Sequence, residues 1–230
     1  MKRNQSSRKM EAALQRIYDE AGRPGARVLR TAARRQGTNI TTREAQDFVR
    51  QQSSSQVLSA RLPSDGRVTA SREDSRMQLD LLDFSKRRTQ PGGHKYVLTA
   101  IDIFSRYLWA EKLTDKTDAQ VLTAYRKIIS RNNNIHPLEA SFDLGREFGP
   151  TFQAYLQDHS TAIRKKDPTS INSLAGIDRA QQSVKKIMAN LQVGNDTPWS
   201  SVMKKAVDIY NDREHGALYG ESPEGLSENK

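Results

Sequence analysis

Three short apolar runs follow one another in the middle of the chain, and they constrain its fold more than any other feature. The runs are Met77–Phe84 (MQLDLLDF), Lys95–Ile103 (KYVLTAIDI) and Arg106–Leu113 (RYLWAEKL), separated by segments that contain Gly92-Gly93 and Phe104-Ser105. Apolar runs of this length bounded by turn residues predict strands. Because the links between them are tight, the strands are expected to pair in antiparallel fashion.

Helical and strand-like patterns alternate after these runs. Helical spacing is present from Thr117 to about Arg131, and short apolar strands are predicted at Leu138–Phe142 and Thr161–Arg164. The remaining predicted helices are Pro150–Gln157, Leu174–Leu191 and Pro198–Asn211. This order predicts an α/β fold, with a mixed sheet flanked by helices.

The charge of the chain is concentrated at its N-terminus. Residues 1–52 contain twelve Lys or Arg against five acids, so this segment carries +7 of the net charge of +10. A basic surplus of this kind favours a polyanionic partner, most simply nucleic acid. The chain has no cysteine, which excludes disulfide scaffolds and thiolate zinc sites. No stretch approaches the roughly 20 apolar residues of a membrane span, so no membrane role is expected.

The basic segment also predicts a small all-α domain. Helices are predicted over Met10–Ala21, Ala26–Gln36 and Thr42–Gln52, the last opened by a capping box between Thr41 and Glu44. Three short helices with tight turns suit a helix-turn-helix-like module, with Arg43 and Arg50 near DNA. A basic arm that contacts only phosphates, or a domain without a nucleic-acid role, would have the same composition.

A change in composition divides the chain into domains. Residues 53–75 are rich in Ser, Arg and Asp and have no sustained apolar period, which is typical of a linker. We therefore predict a helical domain over 1–52, a linker over 53–75, a core over 76–225 and a tail over 226–230.

Three acids stand at positions where a carboxylate is costly or chemically useful. Asp80 interrupts the first apolar strand, where it needs a partner or a metal ion. Asp143 directly follows the fourth predicted strand, and ligand sites of α/β sheets favour strand ends. Asp178 lies on the helix Leu174–Leu191 with Lys185 seven residues later, roughly 20° away around the helix axis. A structural role for each acid is the alternative interpretation.

Five motifs in order resemble the catalytic core of retroviral-type integrases, the DDE recombinases with an RNase H-like fold. MQLD around Asp80 resembles the first strand of that family, KYVLTAIDIFSRYLW its following hairpin, and FDLGREF its second-aspartate motif. GIDRAQQSVKKIM resembles the helix that carries the third acid, and AVDIYNDREHGALYGESPE resembles the last helix and the segment after it. The resemblance covers about residues 76–225.

The resemblance implies a function and a set of residues. It implies that Asp80, Asp143 and Asp178 bind Mg²⁺ (or Mn²⁺) and catalyse trimming of DNA 3′ ends and their joining to target DNA. It further implies that Lys185 and Lys186 contact DNA, and that the protein works as a homo-oligomer without zinc. Localisation would be nuclear for a protein of a eukaryote or its virus, and otherwise cytoplasmic.

Two departures from the family pattern define the alternatives. The third acid is usually glutamate, whereas this chain has Asp178, and 34 residues instead of the usual 35 separate it from Asp143. The activity of the site is therefore the open point of this interpretation. A decayed relative that only binds DNA, or an RNase H-like nuclease, would share the motifs.

Overall fold

A computed structural model describes residues 2–52, 68–87, 91–143, 145–165, 174–192 and 197–227 of the 230-residue chain. The order of elements follows the sequence pattern closely. Among the described helices, none is both long enough and apolar enough to cross a membrane.

The N-terminal segment folds into three helices around a small apolar core of its own. The helices are α1 (Lys2–Glu20), α2 (Ala26–Arg35) and α3 (Thr42–Gln51). Their shared core includes Tyr18 and Phe48, whose rings meet edge to face with centroids 5.5 Å apart. The predicted capping box at α3 is confirmed, because Thr41 accepts from the Glu44 backbone N–H and Glu44 accepts from that of Thr41.

A five-stranded mixed sheet forms the centre of the second domain. Its strands are β1 (Arg76–Asp83), β2 (Tyr96–Asp102), β3 (Leu108–Leu113), β4 (Glu139–Phe142) and β5 (Ala162–Lys165). The spatial order is β3-β2-β1-β4-β5. The first three strands are antiparallel as predicted, whereas β4 runs parallel to both β1 and β5.

Helices cover both faces of the sheet. They are α4 (Asp118–Arg131), α5 (Pro150–Asp158), α6 (Ala175–Gln192), α7 (Trp199–Asp212) and α8 (Pro223–Ser227). α4 and α5 contribute to one apolar cluster, and α6 and α7 contribute to the other. Along β1, Met77 and Leu79 enter the α4–α5 cluster and Leu82 enters the α6–α7 cluster. Since side chains alternate along a strand, Asp80 faces α6 and α7.

The predicted mixed sheet flanked by helices is confirmed, and most elements lie close to their predicted positions. The exception is α1, which begins at Lys2 and not at the predicted Met10. The sequence pattern did not predict α8, a five-residue helix that crosses the expected start of the tail. The residues of the predicted linker that are described also contact the core, because Val68 and Ala70 pack on the α6–α7 cluster and the Asp74 backbone N–H donates to Asp102. Residues 53–67 of that linker lie outside the described residues, and the domain boundaries stay predictions.

The helical domain rests on the outer side of α6 and α7. The Arg213 guanidinium donates to the backbone carbonyls of Ala21 and Gly22, the latter at 2.9 Å. Gly22 has a φ of +67°, and a Cβ there would lie 3.0 Å from Ile187 on α6. The turn after α1 therefore needs glycine both for its backbone conformation and for its close approach to α6.

Candidate active site

Strand register brings the first two predicted acids together. The parallel pairing of β1 and β4 matches Met77 with Ala140 and Gln78 with Ser141. Continued by two residues, this register places Asp80 opposite Asp143, just beyond the end of β4. Neighbouring strands lie about 4.8 Å apart, and residues in matching register point to the same face. This continued register puts the two acids on the face that α6 covers, near enough for the charge of Asp143 to act on the pKa of Asp80.

A buried glutamine holds the Asp80 carboxylate. The Gln181 side-chain amide on α6 donates to Asp80 Oδ2 at 2.8 Å and to Thr99 Oγ1 at 2.9 Å. Thr99 lies opposite Asp80 on β2, and its hydroxyl donates to the Asp80 backbone carbonyl at 2.9 Å. Because Gln181 and Thr99 are both buried, this network fixes one carboxylate oxygen of Asp80 in place.

The environment of Asp80 disfavours its ionised form. Burial is the main reason that its pKa is raised to about 6, and the negative charges of Asp143 and Asp178 raise it further. The hydrogen bond from Gln181 acts in the opposite direction and lowers the pKa. Both other predicted acids are therefore close enough to Asp80 to repel its charge, and a cation between them would relieve that repulsion.

Asp143 occupies the loop that follows β4. Its carboxylate accepts a hydrogen bond of 3.1 Å from the Gly145 backbone N–H, which turns the chain sharply after the strand. Glu147 folds back over the same turn, because a Cβ on Gly145 would lie 2.5 Å from the Glu147 carboxyl carbon. The second-aspartate motif thus forms a tight acidic loop beside Asp80.

Asp178 lies exposed in the first turn of α6, and a close contact with β1 sets its position. The backbone N–H of the neighbouring Ile177 donates to Gln78 Oε1 at 3.0 Å, and Gln78 is fully buried. Gly176 makes this approach possible, since a Cβ there would lie 2.7 Å from Gln78 Oε1 and 2.8 Å from Ile103 Cδ1. The helix that carries the third acid therefore begins in direct contact with the sheet.

The donor set suits a hard divalent cation. Three carboxylates offer only oxygen ligands, which Mg²⁺ prefers, and the burial of Asp80 beside two like charges is typical of carboxylates at functional sites. Within the described ranges, no group of three acidic or histidine side chains is arranged closely enough to hold a metal ion. The structure thus brings the three acids into one neighbourhood but does not form a metal centre from them.

The predicted DNA-binding residues lie on exposed surfaces. Lys185 and Lys186 are exposed on α6, and Lys185 lies two turns beyond Asp178. Arg43 and Arg50 are exposed on α3, where each lies about 4 Å from a carboxylate oxygen of Asp47. All four side chains are accessible to a ligand, and their role in DNA binding stays a prediction.

Other acids in strand-like runs serve the structure. Asp102 is buried and accepts hydrogen bonds from the backbone N–H groups of Asp74, Phe104 and Ser105 and from the Ser105 hydroxyl. Asp83 accepts from the Ser85 backbone N–H at 2.8 Å. Both acids thus serve as turn and hydrogen-bonding residues.

Sequence reasoning missed the supporting residues Gln78, Gly176 and Gln181. Gln182, one helical turn after Asp178, is exposed, whereas its neighbour Gln181 is buried against Asp80. A signal was present: Gln181 falls within the apolar stripe formed by Ile177, Val184 and Met188. A polar residue in such a stripe requires a buried partner.

The fold places the domain in a known structural class. A chain of the simian T-cell lymphotropic virus intasome, solved with the PP2A regulatory subunit B56 gamma, matches with a TM-score of 0.62 at 15% identity, over 86% of this chain and 70% of the other. The HTLV-2 integrase catalytic core domain, solved with magnesium, matches with a TM-score of 0.55 at 15% identity, over 67% of this chain and 96% of the other. The BIV integrase catalytic core domain matches with a TM-score of 0.54 at 18% identity, over 68% of this chain and 95% of the other. The mixed sheet and its helices thus have the RNase H-like fold of retroviral integrase cores.

A sequence comparison identifies the family of the central region. Residues 70–170 match the family model of the integrase core domain, which supports a DDE integrase-type domain in this part of the chain. The predicted resemblance to retroviral-type integrases, a family of polynucleotidyl transferases, is thereby confirmed. No curated protein matches the chain.

Proposed function

We propose that this protein is a DDE-type integrase that trims the 3′ ends of element DNA and joins them to target DNA. The observation that carries the proposal is the parallel register of β1 and β4, which, continued by two residues, puts Asp80 opposite Asp143. The effect of the Asp143 and Asp178 charges on the pKa of Asp80 supports it as well. The integrase core domain match supports the same chemistry.

Asp80, Asp143 and Asp178 would hold Mg²⁺ or Mn²⁺ in this mechanism. Two such ions stabilise the charge that develops on the attacking and leaving oxygens of a phosphodiester. The protein supplies a fixed carboxylate at Asp80, one oxygen of which accepts a hydrogen bond from Gln181. Asp143 adds a second carboxylate from the neighbouring strand, and neither acid forms a covalent intermediate with DNA.

The close contact between α6 and β1 supports an active site that is adapted to aspartate. Aspartate is one methylene shorter than glutamate, so its carboxylate reaches roughly 1.3–1.5 Å less far, and Mg²⁺ tolerates little error in distance. Gly176 lets α6 begin against Gln78 without a side chain between them. This packing brings the backbone of Asp178 towards the sheet, in the direction that a shorter side chain requires.

DNA would be held by the basic groups around this site. Lys185 and Lys186 lie on α6 beyond Asp178, and Arg43 and Arg50 lie on the helical domain. Joining two ends requires both to be held together, so we propose that the protein acts as a homo-oligomer. We propose that the protein is nuclear if it belongs to an element of a eukaryote or its virus, and cytoplasmic otherwise.

A joining assay tests the proposal. Purified full-length protein is mixed with an end-labelled 3′-recessed duplex and supercoiled plasmid, with Mg²⁺ or with chelator. We expect labelled plasmid only with Mg²⁺, and loss of this product in Asp80→Asn. Asp83→Asn is the matched control, because Asp83 lies on the same strand and is exposed.

The alternatives give different products in the same assay. DNA binding without joining in any divalent metal would identify a decayed relative. Cleavage of the labelled strand without transfer to plasmid would identify a nuclease. Either result would refute the proposed integrase activity.

A further inference from the structure

Tyr219 is exposed to an unusual degree for an aromatic residue. Its relative accessibility is 102%, so its ring contacts almost nothing within the described protein. It also has a φ of +55°, in the left-handed region that non-glycine residues rarely adopt. A bulky residue that is both strained and unburied gives no packing energy to the fold, and such outliers cluster at functional sites.

The loop that presents Tyr219 is well ordered by its backbone. The Leu218 and Gly220 N–H groups both donate to the His215 carbonyl, at 3.0 and 3.2 Å. The His215 N–H in turn donates to the Glu221 carbonyl at 2.9 Å, which closes the loop. The ring is therefore held outward on a fixed support, and little conformational entropy would be lost when a ligand binds it.

Helix α2 of the N-terminal domain lies next to this loop and has three different faces. One face is buried in its own domain and contains Leu29 and Ala33. A second face turns towards α7, where Thr31 bonds Glu214 and Arg35 lies 3.7 Å from Asp212. This second face lines a cavity of about 180 Å³ between the two domains.

The third face of α2 consists of arginine. Arg27, Arg30 and Arg34 are all exposed, and at 100° per residue they fall within about 60° of one another around the axis. In the part of the chain that the structure describes, none of the three has an acidic group within 4 Å. By contrast, Arg43 and Arg50 on α3 share Asp47.

The arginine face and the tyrosine loop meet. The Arg27 guanidinium lies 3.9 Å from the position of a Cβ on Gly220, the residue after Tyr219. Of the acids near this junction along the chain, Asp212 lies 3.7 Å from Arg35 and Glu214 accepts from the Thr31 hydroxyl, whereas Glu221, two residues after Tyr219, is exposed. A row of cations thus ends at an exposed aromatic ring, and the two domains contribute to one surface.

We propose that Arg27, Arg30, Arg34 and Tyr219 form a binding surface for DNA at a junction between duplex and unpaired strand. The arginines bind successive phosphates, and Tyr219 stacks on an unpaired base. An unpaired base is needed because duplex bases already stack on one another, whereas an exposed aromatic ring binds a free base face. The inference rests on the proposed function only in taking DNA as the partner.

Binding of labelled DNA at several salt concentrations tests the arginine face. The full-length double variant Arg30→Gln/Arg34→Gln is compared with Lys127→Gln/Lys204→Gln, which removes the same charge from exposed positions on α4 and α7. Each lost phosphate contact lowers the log–log salt slope by about 0.9 for duplex DNA, so we expect a decrease of about 1.8. A slope equal to that of the control would overturn the proposal.

Substrate structure tests the tyrosine. We expect Tyr219→Ala to weaken binding to a duplex with an unpaired overhang about tenfold while leaving a blunt duplex unchanged, and Tyr219→Phe to bind both normally. An equal effect on both substrates, or none, would overturn the stacking role. Since the Tyr219 side chain is unburied, its truncation leaves the fold intact.

The joining assay separates this inference from the proposed function. If the wild type joins DNA and the variants behave like their controls, only the inference fails. If the wild type neither binds nor joins DNA, the proposed function fails first.

Discussion

The sheet and the helix hold their acids in different ways. Asp80 lies on β1 and Asp143 directly after β4, and the register of these two hydrogen-bonded strands, continued by two residues, puts the acids opposite each other. This register cannot shift by one residue without turning every side chain to the other face. Asp178 depends on where α6 begins, and that is set by one glycine and one hydrogen bond to Gln78. The first pair is thus specified by topology, and the third acid by a local contact that a single substitution can disturb.

The largest loss of joining activity is expected from substitution of Asp178, the acid on α6. Asp178→Asn should lower metal-dependent joining at least 100-fold while DNA binding survives, because the amide keeps the shape of the side chain but loses the charge that binds a cation. Asp178→Glu should give no gain if α6 is placed for aspartate. The control is Asp208→Asn, an exposed helical aspartate paired with Lys204.

Two outcomes would change this view. Full joining by Asp178→Asn would remove Asp178 from the site, and Glu147 on the acidic loop would be the next candidate. Weak wild-type activity that Asp178→Glu restores would indicate a decayed site rather than an adapted one.

The second prediction disturbs the placement of α6 alone. Gly176→Ala adds a Cβ 2.7 Å from Gln78 Oε1 and 2.8 Å from Ile103 Cδ1, so either these two buried side-chain ends or the first turn of α6 must shift. We expect joining to fall about tenfold or more, with a loss of about 1–3 kcal/mol in the free energy of unfolding from overpacking. Joining assays and urea unfolding measure the two effects.

Gly216→Ala is the matched control for this substitution. A Cβ at Gly216 would have no atom within 4 Å, so activity and stability should stay near wild type. If Gly176→Ala behaved like this control, the close approach of α6 would not matter for the site.

The third prediction concerns the link between helix and sheet. Gln181→Met keeps the side-chain volume but removes the hydrogen bonds to Asp80 and Thr99. Because the Gln181 bond lowers the pKa of Asp80, its loss raises that pKa further and leaves less of the ionised form near neutral pH. Joining should therefore fall several-fold at pH 7 and recover in part at pH 8.5.

A pH–rate profile distinguishes this role from a merely structural one. The exposed neighbour Gln182→Met should keep the wild-type profile. An unchanged profile for Gln181→Met, with or without lower activity, would show that Gln181 does not act through Asp80.

The sequence predicted Asp80 and Asp143, the acids held by the sheet, better than it predicted the residues that support the site. Strand runs, turns and caps are local signals, so the elements came out within one or two residues in most cases, including the Thr41 capping box. The parallel pairing of β4 with β1 is a non-local choice, and the sequence patterns indicated only a mixed sheet. Gln181 and Gly176 act through contacts with residues 78, 80, 99 and 103, which no local pattern reveals.

The last prediction compares two carboxylates in metal-free protein, Asp80, which is half-buried, and Asp102, which is fully buried. Asp80 has a pKa of about 6, raised mainly by burial, whereas an unfolded aspartate titrates near 4. The folded state therefore binds more protons than the unfolded state between these values, so the Asp80 contribution makes stability fall as the pH rises from about 4 to 7. Asp80→Asn should remove this slope and raise the free energy of unfolding by about 1–3 kcal/mol at pH 8, with no gain at pH 4.

Asp102→Asn should have the opposite effect at pH 8. The Asp102 carboxylate accepts four hydrogen bonds, so an amide group in its place would set a donor against N–H and O–H donors. We expect a loss of about 1–3 kcal/mol, measured by urea unfolding in chelator. A gain from both substitutions would mean that burial alone governs these acids. A loss from both would mean that the Asp80 carboxylate, like that of Asp102, stabilises the fold. It would then not be a group that lowers the stability of the protein in order to bind a ligand.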